Sequence, residues 1–138
     1  MKINVAKSAG FCFGVKRAIE LTLETANNDS NVQMLGDIVH NETVISDIEK
    51  VGIKKIKKIS RGDGKTLIIR AHGTAKQTIE EAESSGYSIV DATCPMVKEI
   101  HNIAIEKERE GYTILIIGDK KHDEVRGIIG QLSSEPII

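Results

Sequence analysis

The chain has 138 residues, 40% of them apolar, a formal charge of −1 and no tryptophan. That length supports one ordinary domain with a real core and is small for an enzyme acting on two substrates. The balanced charge argues against nucleic-acid binding, and the apolar content excludes a disordered tail.

The first residues, "MKINVAKSAGF", lack the apolar core of a signal peptide, and no stretch approaches the roughly 18 consecutive apolar residues of a membrane span. The expected setting is the cytoplasm, away from membranes. In a reducing compartment two cysteines 82 positions apart, Cys12 and Cys94, are expected to be free thiols or metal ligands and not a structural disulfide.

Short β-rich runs, "INVA" (3–6), "VQML" (32–35), "LIIR" (67–70), "SIV" (88–90) and "TILIIG" (113–118), alternate with segments whose apolar residues recur every three or four positions. A helix is expected from about Val15, with Val15, Ala18, Ile19, Leu23 and Ala26 on one face. "TVISDIEKVG" (43–52) and "TAKQTIEEAESSG" (74–86) each read as a helix opened by a Thr cap and closed by Gly. A further helix is expected from about Met96 through Ile100, Ile103 and Ala104, stopped by Gly111. Alternation of strand and helix predicts an α/β fold in which a mostly parallel sheet is flanked by helices on both faces. Residues 1–93 are expected to form a first α/β module and 94–138 the start of a second, and the terminal "PII" reads as an interrupted strand.

In such sheets ligands collect at the carboxyl ends of strands. Cys12 in "GFCFG", His40 and Asn41 in "GDIVHN", His72 in "RAHG", Cys94 in "DATCP", and His122 and Glu124 in "GDKKHDEV" each follow a predicted strand. Taken singly, a cysteine is more often a small buried hydrophobe than a ligand. Together, at one predicted edge, they point to a site. Gly10 and Gly14 let the backbone bend closely around a bulky group at Cys12, and the helix starts after Cys12 and Cys94 favour thiolate over thiol. Pro95 resembles the proline after cluster-ligating cysteines in bacterial ferredoxins, so soft metal or iron–sulphur ligation fits the pair. The three histidines offer N–H donors suited to a phosphate-type anion. Glu124 could donate a proton if desolvation raises its pKa. His101, in mid-helix, is expected to have a core or surface role.

Three patterns lead nowhere. "GDGKT" (62–66) lacks the upstream glycine of a phosphate loop and precedes a strand; His122-x-Glu124 lacks the downstream cysteines of zinc deaminases; "KKIKKISR" (54–61) has no aromatic residues for base stacking.

The blocks "GFCFGVKRAIE", "GDIVHNETV", "RAHG", "DATCPMV" and "HDEVRGIIGQ" resemble, in order and spacing, those of the 4-hydroxy-3-methylbut-2-enyl diphosphate reductase family of the non-mevalonate isoprenoid pathway. The resemblance spans the chain. It implies a [4Fe-4S] cluster held by three cysteines, with Cys12 and Cys94 matching the first two. It further implies diphosphate binding by His40, His72 and His122, protons from Glu124, and ferredoxin or flavodoxin as electron donor. The product would be isopentenyl and dimethylallyl diphosphates. Family members are about twice as long, with three similar α/β modules, and no third cysteine is available here, so a fragment inactive alone is expected. Two other readings stay open: a non-redox module binding a phosphorylated ligand, and an oligomer sharing a metal between the cysteines of neighbouring chains.

Overall fold

In the computed structural model, which describes residues 1–138, nine elements follow one another. They are α1 (Phe13–Asn28), β1 (Val32–Leu35), α2 (Glu42–Lys50), β2 (Lys54–Ile56), β3 (Thr66–Ile69), α3 (Lys76–Ser84), β4 (Ser88–Asp91), α4 (Pro95–Arg109) and α5 (Asp123–Ile129). The strands form one parallel sheet in the order β2-β1-β3-β4. This is the α/β architecture expected from the alternation of strand and helix.

Successive side chains of a strand point to opposite faces, and here both faces are covered. Met34, Ile68 and Val90 pack with Ala18 of α1 and Ile48 of α2. Leu35, Leu67, Ile69 and Ile89 pack on the other face with Ile79 and Ala82 of α3. That is why "LII" reads as a continuous apolar run and not as an alternation. Met34, Ile48, Leu67, Ile68 and Ile69 are fully buried, each contributing about 1.5–3 kcal/mol of transfer free energy.

The connections decide where a ligand can enter. β1 leads through α2 to β2 at one side, while β3 leads through α3 to β4 at the other. Right-handed crossovers running in opposite directions put α2 and α3 on opposite faces. The chain therefore parts between the carboxyl ends of β1 and β3, the switch point at which open α/β sheets form a crevice.

Two expected strands are not formed. Residues 3–6 adopt no strand, and Ile3 and Val5 are exposed. Neither edge of the sheet, β2 or β4, pairs with them, and an unpaired segment leaves its backbone groups to water. "TILIIG" reduces to a single parallel bridge between Leu115 and Ile137, made by Ile116 N–H to Ile137 O at 2.8 Å and Ile137 N–H to Ile114 O at 3.0 Å. Two short segments without a third strand do not extend into a sheet. The apolar stripe expected on α4 is corrected in part: Ala104 is buried as expected, but Met96, Ile100 and Ile103 are exposed, and α4 buries His101 beside Ala104. Ile100, Ile103, Tyr112, Leu115 and Ile117 line an open apolar hollow of about 500 Å³.

The caps differ from expectation as well. Asn41, not Thr43, caps α2, its Oδ1 accepting from Val44 N–H at 3.0 Å. At α3 the N-cap is Ala75, with no side-chain cap, and Lys76 N–H donates to Gly130 O at 3.1 Å. Closure by Gly52 and Gly86 holds, both in the left-handed region at φ +95° and +87°. No helix is long and apolar enough to cross a membrane.

Candidate functional site at the sheet switch point

Beyond the strand ends the loops remain laced in register. Gly36 N–H donates to Ile56 O at 2.9 Å, Ala71 N–H to Ile38 O at 3.1 Å, and Cys94 N–H to Ala71 O at 2.9 Å. This continuation of the ladder carries the loops after β1, β3 and β4 to one level. His40 and His72 meet there, their ring centroids 4.1 Å apart and tilted by 31°.

His40 is exposed and His72 half-buried, and His72 Nδ1 is buried with no hydrogen-bond partner. Burial holds the His72 imidazole below its usual 6.5, helped by the nearby positive charges of His40 and Arg70 and opposed by Glu124 and Asp123. A neutral ring keeps one N–H donor and one acceptor. Asn41, also a sequence candidate, is committed to its cap.

The two cysteines stand at helix starts, Cys12 as the N-cap of α1 and Cys94 as the N-cap of α4, and neither side chain makes a capping hydrogen bond. Cys12 is exposed and Cys94 half-buried. The expectation that Cys12 follows a strand is not met. It stands instead at the start of α1, whose stripe of Gly14, Ala18 and Thr22 packs inward. The Cys94 Sγ lies directly on the Gly14 Cα, so close that a methyl group there would overlap the sulphur. Arg17 Nη1 donates to Thr93 O at 3.3 Å, a second tie between α1 and the Cys94 turn.

That turn is itself held by Asp91, whose Oδ1 accepts from Thr93 N–H at 2.9 Å and from the Thr93 hydroxyl. Its other oxygen pairs with Lys98 of α4. Burial alone would raise the Asp91 carboxyl, but the hydrogen bonds from Lys98 and Thr93 outweigh it and hold the group below the usual carboxylate range.

His122 and Glu124 come from α5 and not from a strand end, which corrects the expected position after "TILIIG". Both are exposed, so Glu124 lacks the burial invoked for it. His122 caps α5, its Nδ1 accepting from Glu124 N–H at 3.3 Å. In a neutral ring the hydrogen then sits on Nε2, a free donor. The charge of Glu124 reaches His72 across the crevice.

Arg70 and Asp123 were not singled out in the sequence, although each lies within two residues of a residue that was. Arg70 Nη1 and Nη2 donate to Asp123 Oδ2 and Oδ1 at 3.0 and 2.9 Å. His40, His72 and Asp123 present ligand atoms within 4.8 Å of one another. The guanidinium holds both oxygens of the Asp123 carboxylate, which commits that group to the ion pair, and the N–H donors of the imidazoles suit an anion.

His101 has the core role. It is 7% exposed, its ring wedged between Gly73 and Gly127, with Nε2 unpartnered. A Cβ on Gly73, whose φ is +77°, would meet the ring at 2.9 Å.

The sequence model of the LytB protein family matches residues 3–138. A 4-hydroxy-3-methylbut-2-enyl diphosphate reductase of Caldanaerobacter subterraneus is 45% identical over 137 aligned residues, covering 94% of this chain and 47% of that protein. That of Clostridioides difficile is 42% identical over 140, covering 100% and 50%. The solved reductase of Plasmodium falciparum superimposes with a TM-score of 0.86 at 37% identity, covering 91% of this chain and 40% of that one. A solved (E)-4-hydroxy-3-methyl-but-2-enyl diphosphate reductase, the terminal enzyme of the non-mevalonate pathway, superimposes with a TM-score of 0.80 at 38% identity, covering 94% of this chain and 46% of that one. The chain spans about half the length of the curated relatives it matches. With a matching family model over nearly its whole length and this fold, the chain belongs to the LytB protein family.

Proposed function

We propose that the chain forms part of a reductase that removes the hydroxyl of 4-hydroxy-3-methylbut-2-enyl diphosphate, giving isopentenyl and dimethylallyl diphosphates. Residues 1–93 act as a first α/β module and 94–138 as the start of a second. The observation that carries this reading is the contact of Cys94 Sγ with Gly14, two residues beyond Cys12, in a fold where His40 and His72 also meet just past the strand ends. Two thiols 82 positions apart in sequence and a pair of imidazoles are read as parts of one site, a reading supported by Cys94 resting on the start of α1 and by His40, His72 and Cys94 each following a strand end.

The residues fit two ligands of a [4Fe-4S] cluster: both thiols are free, neither is used as a cap, and Gly14 removes the side chain that would block Cys94. When bound, such a cluster would supply electrons and Lewis acidity toward the substrate hydroxyl, with Cys12 and Cys94 as two of the residues that would hold it. The third cysteine of the resemblance has no counterpart in this chain. His40, His72 and the Nε2–H of His122 bind the diphosphate and so orient the allyl group. The reaction breaks the carbon–oxygen bond and takes up two electrons and two protons. One proton leaves with the oxygen as water, and the other forms a carbon–hydrogen bond on the allyl unit. Glu124 carries protons to this site. A ferredoxin or flavodoxin donates the electrons, in a reducing compartment such as the cytoplasm.

Anaerobic coexpression with the C-terminal half of the Clostridioides difficile relative tests the reading. A brown protein with four irons per complex and reductase activity is expected, lost on Cys12→Ser or Cys94→Ser. The chain alone should stay colourless and inactive. Full activity or four irons in the chain alone, or iron binding that ignores both cysteines, would refute it.

The unpartnered His72 Nδ1 beside His40 favours one second reading, a module binding a phosphorylated ligand without redox chemistry. Thermal stabilisation by phosphate in the Cys12→Ser/Cys94→Ser double variant, with no iron-dependent activity in any form, would select it.

A further inference from the structure

We infer that the Arg70–Asp123 ion pair is a positioning device that holds the acid-bearing end of α5 against the stacked imidazoles. The inference rests on the reading of Glu124 as proton carrier and of His40 and His72 as the anion grip.

The pair is a two-pronged fork, 3.0 and 2.9 Å long, between residues 53 apart in sequence. Only 24% and 23% of the two side chains is exposed. Half-buried bidentate pairs of this kind hold geometry as well as charge, unlike the solvent-screened pairs elsewhere on the surface. The guanidinium is also backed by Gly36, where a Cβ would meet Arg70 Nη1 at 3.2 Å and where φ is +74°. Arg70 is thus clamped between the loop after β1 and the first turn of α5. A lysine would keep the charge but not the fork.

The two ends of α5 are held differently. At its C-terminal end Gly130 O accepts from Lys76 N–H at 3.1 Å, and Gln131 Nε2 donates to Thr74 O at 2.7 Å. The His101 ring fills the space beside Gly127. At its N-terminal end Arg70–Asp123 is the hydrogen-bonded tie to the sheet, and no other hydrogen bond joins residues 119–126 to it. Glu124 is the next residue after Asp123, and His122 the one before. Losing the fork should therefore free the reactive end of α5 and leave the other end docked.

The test uses the 138-residue chain, with inorganic pyrophosphate as probe, and compares wild type with Arg70→Lys and with the charge-neutral pair Arg70→Gln/Asp123→Asn. Without ligand, amide exchange at Arg126 and Gly127 should speed about tenfold in the double variant, while Gly130 and Ile68 keep wild-type rates. With pyrophosphate, the ring-proton NMR signals of His40, His72 and His122 should move together in wild type. In the double variant Kd should weaken about tenfold and the His122 signal should no longer follow His72. Arg70→Lys should fall between, and the swapped variant Arg70→Asp/Asp123→Arg should recover the exchange pattern in part. Uniformly faster exchange along all of α5, or exchange unchanged in every variant, would overturn the inference. Failure of wild type to bind pyrophosphate would count against the anion grip, and the exchange pattern would still decide the role of the fork.

Discussion

Gly14→Ala probes the contact on which the site depends. A methyl at this position would overlap Cys94 Sγ and stand 3.1 Å from Cys94 Cβ, and Gly14 is buried in the first turn of α1. Alanine favours a helix over glycine by roughly 0.5–1 kcal/mol, whereas forcing an extra carbon into a packed site costs roughly 1–3 kcal/mol. The overlap should win, for a net loss of about 1 kcal/mol and a fall in Tm of about 4 °C in a chain of this size. The cheapest relief is a rotation of the Cys94 side chain toward solvent. The assay is urea unfolding at pH 7 together with the rate of thiol modification in a Cys12→Ser background, where Cys94 alone reports. Modification should speed about fivefold, in line with the loss of about 1 kcal/mol of packing. If Gly14→Ala instead stabilises the chain by its helix preference and leaves Cys94 as slow as before, the thiol does not rest on Gly14, and the convergence of the cysteines is wrong.

Stability should rise with pH toward neutrality. Burial holds both His72 and His101 below 6.5 in the folded state, so the unfolded chain binds more protons between those lowered values and 6.5. Stability is then full above 6.5 and lost as pH falls through that window; urea midpoints measured from pH 7.5 downward should show the loss, and His101→Asn should make the profile shallower. Asp123→Asn removes a charge that raises His72, so NMR titration should find the His72 ring deprotonating at lower pH than in wild type, and Arg70→Gln should move it the other way. Asn41→Ala deletes the α2 cap and should cost about 1 kcal/mol by denaturant midpoint. Asp91→Ala strips the Cys94 turn of its Thr93 and Lys98 partners and should cost more than Asn41→Ala, the excess disappearing in acid once the wild-type carboxyl is protonated.

The strands β1 and β3, read from "VQML" and "LIIR", the helices α2 and α3 that follow them and their closing glycines were all legible in the sequence, because each rests on neighbours in the chain: apolar alternation or runs, helical spacing, and the left-handed freedom of Gly52 and Gly86. So was the placing of His40, His72 and Cys94 just beyond β1, β3 and β4. Equally β-rich runs at 3–6 and 113–118 failed to become strands of the sheet, since pairing depends on a partner edge that no local pattern encodes. The same limit explains α4, whose isoleucines at 100 and 103 have helical spacing but face outward while His101 goes in, a choice made by Gly73 and Gly127 leaving room for the ring.

What the sequence determined by itself was the parallel α/β order and a set of reactive residues at element ends, because dihedral preference and hydrophobic period act over a few residues. Tertiary structure alone decided that Cys94 rests on Gly14 of α1, and that Asp123 meets Arg70. Those contacts join segments 53 or more positions apart, and close packing between distant segments selects them only after the sheet has set the distances.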